Sequence, residues 1–175
     1  MSDTGNNDSH NALNVRSLAF AGVLLAAALI LSYVESLVPF FFGVPGMKLG
    51  LPNLAVVLLL FTGRKKTALA VNILRIAVSG LLFGSLFSII FSIAGAAASY
   101  AVMLFMMRNK KYGITGVSVA GGVSHNLAQL LIAAYVVKTS GIVYYSPVLI
   151  FAGTVTGMAI GAAASLMIRA FERMK

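Results

Sequence analysis

A stretch of polar and small residues interrupts a long apolar run between positions 114 and 137. At about 100° per residue of an α-helix, its members fall on one stripe, with apolar side chains on the opposite face. The stripe contains Ser118, Gly122, His125 and Gln129, and Gly121 and Asn126 flank it on either side. In a membrane protein such side chains face a protected interior. The spacing therefore predicts one wall of a polar binding site.

Arg75 lies in the middle of a different apolar segment. A charge at mid-depth costs about 2.5–3.5 kcal/mol on insertion scales, so this side chain must face the bundle interior and find a partner. Two partners remain open: Glu35, as a structural ion pair, or an anionic ligand. The hydrogen-bonding capacity nearby exceeds what one ion pair needs, which favours a ligand: Asn53, Asn72, His125, Asn126 and Gln129.

Residues 39–48 join the first two apolar segments and contain two prolines, two glycines and three phenylalanines. This composition predicts a structured loop at the membrane interface, either as a lid over the site or as an anchor with no ligand role. Lys48 at its end is correspondingly either a stray topological charge or a charge over the mouth of the cavity. Glu35 is either a counter-ion for Arg75 or a contact to substrate.

Catalytic and metal sites find no support in the sequence. The chain has no Cys and two His, one of them in the polar N-terminal stretch, so no ligand set for zinc or bis-His haem exists. It also lacks a phosphate-binding loop, a nucleophile elbow and a paired-Asp motif for magnesium diphosphate chemistry. We therefore predict no catalytic residue, no metal ligand and no cofactor, and a chain that is not itself an enzyme.

The composition indicates an integral membrane protein. Hydrophobic residues make up 59% of the 175 residues and charged residues 10%, and the mean hydropathy is +0.96. The net charge of +9 does not indicate nucleic-acid binding, because the basic residues cluster in short connections between apolar segments.

Six apolar segments predict an all-α bundle of six transmembrane helices, at about 17–38, 49–62, 67–83, 86–107, 114–137 and 145–170. Residues 1–15 are predicted to form a disordered cytoplasmic tail and residues 16–175 a single membrane domain. With both termini inside, ten of the thirteen Lys and Arg residues lie on the cytoplasmic side, as the positive-inside rule requires. Small residues at four-residue spacing predict close helix packing along the last segment: Gly153, Gly157, Gly161 and Ser165.

Four motifs resemble those of the bacterial Gx transporter family, also described as heptaprenyl diphosphate synthase component I. They are K-L-G-L-P-N at 48–53, N-I-L-R-I at 72–76, L-L-F-G at 81–84 and G-V-S-V-A-G-G-V-S-H-N-L-A-Q at 116–129. The transporter name implies similarity to the substrate-binding S components of energy-coupling factor (ECF) transporters. Those are six-helix proteins of the bacterial cytoplasmic membrane that take a small molecule from outside and depend on a transmembrane scaffold and two ATPases.

The resemblance also implies a docking site. In S components an A-x-x-x-A notch on the first helix meets the scaffold, and the matching feature here is Gly22-x-x-x-Ala26, which differs at its first position. We expect an S-component-like subunit that binds a small anionic or amide-rich solute. Its site is predicted to comprise Arg75, His125, Asn126, Gln129, Asn53, Asn72, Glu35 and Lys48. Two alternatives remain: a non-catalytic membrane accessory of prenyl diphosphate or quinone synthesis, and a membrane subunit of a flavin or quinone electron-transfer system.

Overall fold

The computed structural model describes residues 4–37, 48–109, 111–138 and 140–173. Within these ranges the chain contains helices and turns and no β-strand. The helices are α1 Thr4–Leu37, α2 Asn53–Phe61, α3 Lys65–Phe83, α4 Leu86–Met107, α5 Ile114–Val137 and α6 Ser146–Arg173, with a 3₁₀ helix at Ser140–Tyr145 before α6. All of them except α2 and the 3₁₀ helix contain a segment long and apolar enough to cross a membrane. The predicted all-helical membrane fold is confirmed.

Helix α1 begins before the apolar span that it contains. Helical backbone begins at Thr4, so it overlaps the stretch for which the sequence predicts a tail, while the apolar span within α1 begins at Val15. Of the predicted lid at 39–48, only Lys48 belongs to the described residues.

The second helix is shorter than the predicted 49–62. Its nine residues extend about 14 Å at 1.5 Å per residue, about half of the hydrocarbon thickness. Gly50 has a φ of +87°, in the left-handed region, and Pro52 follows shortly after, so the helix cannot extend back toward Leu49. Every residue from Ala55 to Leu60 is at most 2% exposed. A short helix that is apolar on all sides is stable only inside a bundle, and α2 forms the core of this one.

Contacts at its two ends show how α2 runs through the bundle. Before it, the Gly50 N–H donates to Glu35 near the end of α1. After it, the Arg64 guanidinium donates to Ser17 and lies 5.0 Å from the ring centroid of Phe20, both near the start of the apolar part of α1. The segment around α2 therefore carries the chain from the Glu35 end of α1 back to its Ser17 end.

The start of the apolar part of α1 and the end of α6 meet at the Ser17 end of the bundle. Phe20 of α1 and Phe171 of α6 form an edge-to-face pair with ring centroids 5.8 Å apart. At the opposite end, Tyr33 of α1 packs edge-on against Phe83, the last residue of α3. We call these the terminal end and the Glu35 end.

The glycines of α6 pack directly against the backbone of α5, as their spacing predicts. A Cβ atom added to Gly157 would lie 2.6 Å from the Cα of Val119. One added to Gly153 would lie 2.8 Å from the carbonyl oxygen of Gly122, and one on Gly161 would lie 2.6 Å from the Cα of Thr115. Side chains at these positions would separate the helices, so the glycines set the approach of α6 and thereby fix the polar stripe of α5.

Candidate functional site

The polar stripe of α5 is turned into the bundle. Its large polar members, His125, Asn126 and Gln129, are at most 2% exposed, and Ser118, Gly121 and Gly122 are buried beside them. On the opposite face Leu131 is 67% exposed. The predicted orientation of this helix is therefore confirmed.

The imidazole of His125 lies between α4 and the segment that precedes α2. A Cβ added to Gly95 of α4 would approach its Cε1 and Nδ1 to 2.8 Å, and one added to Gly50 would approach its Cδ2 to 3.3 Å. Neither glycine was predicted as a site residue. In the sequence these two residues are ordinary glycines. That they face the ring of His125 can be recognised only once the packing of the helices is known.

Gln129 fixes the tautomer of His125. The Oε1 of Gln129 accepts from the backbone N–H of Lys48 at 3.2 Å, so its amide nitrogen must face the imidazole. That nitrogen lies 3.1 Å from Nε2 of His125, which is therefore the acceptor. A neutral imidazole then carries its proton on Nδ1, and this buried atom has no hydrogen-bond partner. This N–H thus makes no hydrogen bond of good geometry, although the backbone of Gly95 on α4 lies beside the imidazole.

Glu35 joins α1 to the segment before α2. One carboxylate oxygen accepts from the N–H of Gly50 at 2.6 Å and from the N–H of Leu51 at 3.4 Å. The other oxygen, Oε2, is buried and has no partner. Asn53, the first residue of α2, likewise has a buried Oδ1 without a partner. Two acceptors are therefore unused in this part of the bundle.

Arg75 is 3% exposed in the middle of α3, and its Nη2 donates to the Oδ1 of Asn72 at 2.8 Å. Its Nε has no partner. In the described part of the chain no ion-pair contact joins Arg75 to Glu35, although their charges are close enough to interact. The side chain thus has a neutral partner, and its charge is not neutralised by direct contact.

Lys48 is partly buried at the Glu35 end of the site. Burial lowers the pKa of its ammonium, and the charge of Arg75 acts in the same direction, whereas Glu35 opposes both. The backbone N–H of Lys48 also donates to Gln129, so this residue contributes to the site through its main chain as well as through its charge.

Asn126 faces a different neighbour. Its Nδ2 donates to the carbonyl oxygen of Leu149 in α6 at 3.0 Å, so the amide bridges α5 and α6 rather than pointing toward Glu35. The other predicted residues form one region: Glu35, Lys48, Asn53 and the His125–Gln129 pair lie around Gly50. Asn72 and Arg75 lie on α3, and the charge of Arg75 acts on Glu35, Lys48 and His125.

Eight buried polar side-chain atoms in the described part of the chain lack partners, and four of them belong to this region: Glu35 Oε2, Asn53 Oδ1, Arg75 Nε and His125 Nδ1. Each such atom costs about 1–3 kcal/mol when nothing satisfies it, so a folded protein rarely keeps several together without a partner. Two are donors and two are acceptors, and one donor belongs to a cation. The arrangement is suited to a small polar molecule with an anionic group. Among the described residues no three His, Cys, Asp or Glu side chains gather as a metal-binding group.

Gly50→Ala is expected to destabilise the site more than Gly63→Ala. Both glycines have a positive φ, +87° and +79°, so alanine is strained at either position. Only at Gly50 would the new methyl group also meet neighbours, 3.2 Å from Nδ2 of Asn53 and 3.3 Å from Cδ2 of His125, while nothing lies within 4 Å at Gly63. Thermal unfolding in detergent should show a loss of about 1 kcal/mol for Gly63→Ala and about 1–3 kcal/mol more for Gly50→Ala. Equal losses would contradict the close packing around Gly50.

A model of the heptaprenyl diphosphate synthase component I family matches residues 24–167. The match includes α2 to α5 with all the predicted binding-site residues, the part of α1 from Leu24 onward, and most of α6. No curated protein and no solved structure matches the chain. The name of this family describes a component of a prenyl diphosphate synthase. Because the match spans most of its length, this multi-helix membrane protein belongs to the heptaprenyl diphosphate synthase component I family.

Proposed function

We propose that the chain is the substrate-binding membrane subunit of an uptake system, similar to an ECF S component, for a small anionic or amide-rich solute. The observation that carries this proposal is the cluster of four buried polar atoms without partners around Glu35, Asn53, Arg75 and His125. Arg75 recognises the charge of the solute, and the N–H at Nδ1 of His125 donates to it. Glu35 and Asn53 accept hydrogen bonds from its donor groups.

The position of the cluster supports capture from the Glu35 end of the bundle. The segment from Lys48 to Leu51 lies directly over the His125–Gln129 pair and is held there by hydrogen bonds to Gln129 and Glu35. A solute entering here meets the Lys48 ammonium first, which favours anions. Release then requires that this segment move away from α1 and α5.

We further infer that the Glu35 end faces outward and the terminal end faces the bacterial cytoplasm. The Phe20–Phe171 contact places the start of the apolar part of α1 and the end of α6 on the same side of the bundle. Arg64 lies at that side through its contact with Phe20, and Lys65 follows it. Basic residues concentrate on the cytoplasmic side of bacterial membrane proteins.

Energy for uptake must come from partner subunits, and α1 offers a surface for them. Gly22 and Ala26 are exposed on α1, and a Cβ added to Gly22 would meet nothing within 4 Å. Small residues at this spacing let another helix approach closely. We propose that this notch docks a transmembrane scaffold that carries two ATPase subunits.

Gly22→Leu is expected to abolish co-purification of such a scaffold without unfolding the chain. The new side chain projects from an exposed position, so the bundle has no contact to lose. Affinity purification of the tagged chain from its own cells, followed by mass spectrometry of co-purified proteins, is the test. Ala27→Leu, at another exposed position of α1, is the matched control and should retain the scaffold. Recovery of the scaffold with Gly22→Leu would contradict docking at the notch.

The family name favours a second candidate, a non-catalytic membrane accessory of a prenyl diphosphate synthase. The same purification separates the two. A scaffold and ATPases would support uptake, a soluble prenyl diphosphate synthase subunit would support the accessory role, and a retained flavin or quinone chromophore would support an electron-transfer subunit.

A further inference from the structure

A cavity of about 300 Å³ lies between α3 and α4. It is lined by apolar side chains, including Ile73 and Ile76 of α3 and Ile93 and Ala97 of α4, with Asn72 as its one polar lining residue. This volume is at the lower end of what small-molecule sites occupy. A cavity with so little polar lining does not hold water stably.

The cavity opens sideways, toward the bilayer. Its rim is exposed, since Ile73 is 58% and Ile93 54% accessible. Its floor is buried, since Asn72, Ile76 and Ala96 are at most 5% accessible. An apolar guest could therefore enter from the hydrocarbon core without passing through water.

Asn72 connects this cavity to the polar cluster. It lines the cavity, and its Oδ1 accepts from Nη2 of Arg75 at 2.8 Å. The guanidinium, with Nε unpartnered, is thus joined by this hydrogen bond to the one polar residue of the cavity wall. A hydrocarbon slot beside a buried, incompletely satisfied cation complements a molecule with one anionic group and one apolar chain.

We propose that the ligand is a single-chain anionic amphiphile, taken from the bilayer, whose chain fills the α3–α4 cavity and whose carboxylate or phosphate reaches Arg75 past Asn72. This inference rests on the proposed function and specifies the class of its substrate. For such a ligand, the lateral opening of the cavity replaces the Glu35 end as the route of entry. The polar cluster alone would accept a water-soluble anion, and the lateral cavity adds the requirement for a chain.

Photo-crosslinking of the full chain in nanodiscs of zwitterionic lipid tests the inference. The probes are decanoate and decyl phosphate, each with a terminal diazirine, and labelled positions are mapped by peptide mass spectrometry. For the wild-type chain we expect one or both probes to label residues around Ile73 and Ile93. Ala97→Phe, which fills the cavity from an exposed position, should lower labelling at least about tenfold, because excluding even two methylene groups costs that much.

Controls separate this inference from the proposed function. Ala77→Phe fills the cavity from α3 and should reproduce the loss, whereas Ala101→Phe, at an exposed position of α4 outside the lining, should not change labelling. Arg75→Gln should also lower it. No labelling by either probe, labelling that survives both filling variants, or labelling independent of Arg75 would overturn the inference. Binding of acetate or methyl phosphate that depends on Arg75 but not on Ala97 would leave the proposed function standing in each of these cases.

Discussion

Gly157→Ala is expected to lower the free energy of unfolding by about 1–3 kcal/mol, the usual cost of overpacking a tight interior. The new methyl group would lie 2.6 Å from the Cα of Val119 and 2.9 Å from the carbonyl oxygen of Ser118. Both neighbours are backbone atoms of α5, so neither can move aside without separating the helices. For a chain of this size the loss corresponds to roughly 3–10 °C in the unfolding temperature, measured in detergent. Gly157→Leu should prevent recovery of a folded protein.

Gly116→Ala is the matched control for the contact between α5 and α6. Gly116 also lies in α5, but a Cβ there would meet nothing within 4 Å. Alanine is favoured over glycine in a helix by about 1 kcal/mol, so this variant should be as stable as the wild type or more stable. If both variants had the same unfolding temperature, direct backbone packing of α5 on α6 would be contradicted.

Arg75→Gln is expected to abolish ligand binding while leaving the empty protein folded. Truncating one partner of a buried charge contact costs about 2–5 kcal/mol of binding, or roughly 30-fold to several thousandfold in affinity. Without ligand the variant should unfold at the same temperature as the wild type or higher, because it no longer buries a cation whose Nε lacks a partner. A small-molecule extract of the cells should stabilise the wild-type protein and not the variant.

The competing role for Arg75, a structural pair with Glu35, predicts the opposite result. Breaking a buried ion pair typically costs about 3–5 kcal/mol of stability. The Arg75→Gln protein would then unfold at a lower temperature without ligand, and it would show no loss specific to ligand binding. Lys66→Gln removes an exposed charge from the same helix and should change neither property. The hydrogen bond of Arg75 to Asn72, and the absence of a contact to Glu35, favour the ligand role.

The sequence is informative wherever a regular helix meets a strong physical constraint. The polar stripe around His125 could be oriented because helical periodicity fixes which residues share a face. Arg75 could be placed inside because the bilayer penalises a charge that faces lipid. The glycines around Gly157 indicated close packing because their spacing repeats along one side of α6.

Which helices pack against each other, and at what distance, could not be predicted from the sequence in the same way. Periodicity places Asn126 beside His125 on the buried face, but only the approach of α6 decides that its amide bonds to the carbonyl of Leu149. Gly50 and Gly95 contribute to the site because they have no side chain, which leaves room for the ring of His125. The short span of α2 follows from the left-handed backbone of Gly50, two residues before Pro52. The α3–α4 cavity depends on the separation of two helices, which hydrophobicity does not encode.

The central claim is that the buried cluster around Arg75 and His125 holds a small anionic ligand. Native mass spectrometry of the wild-type chain, released from detergent after growth under several conditions, tests it most directly. We predict a retained small molecule, removed by Arg75→Gln and kept by Lys66→Gln. Spectra of the wild type at the mass of the bare chain under every condition, or an adduct that Arg75→Gln retains, would contradict the claim.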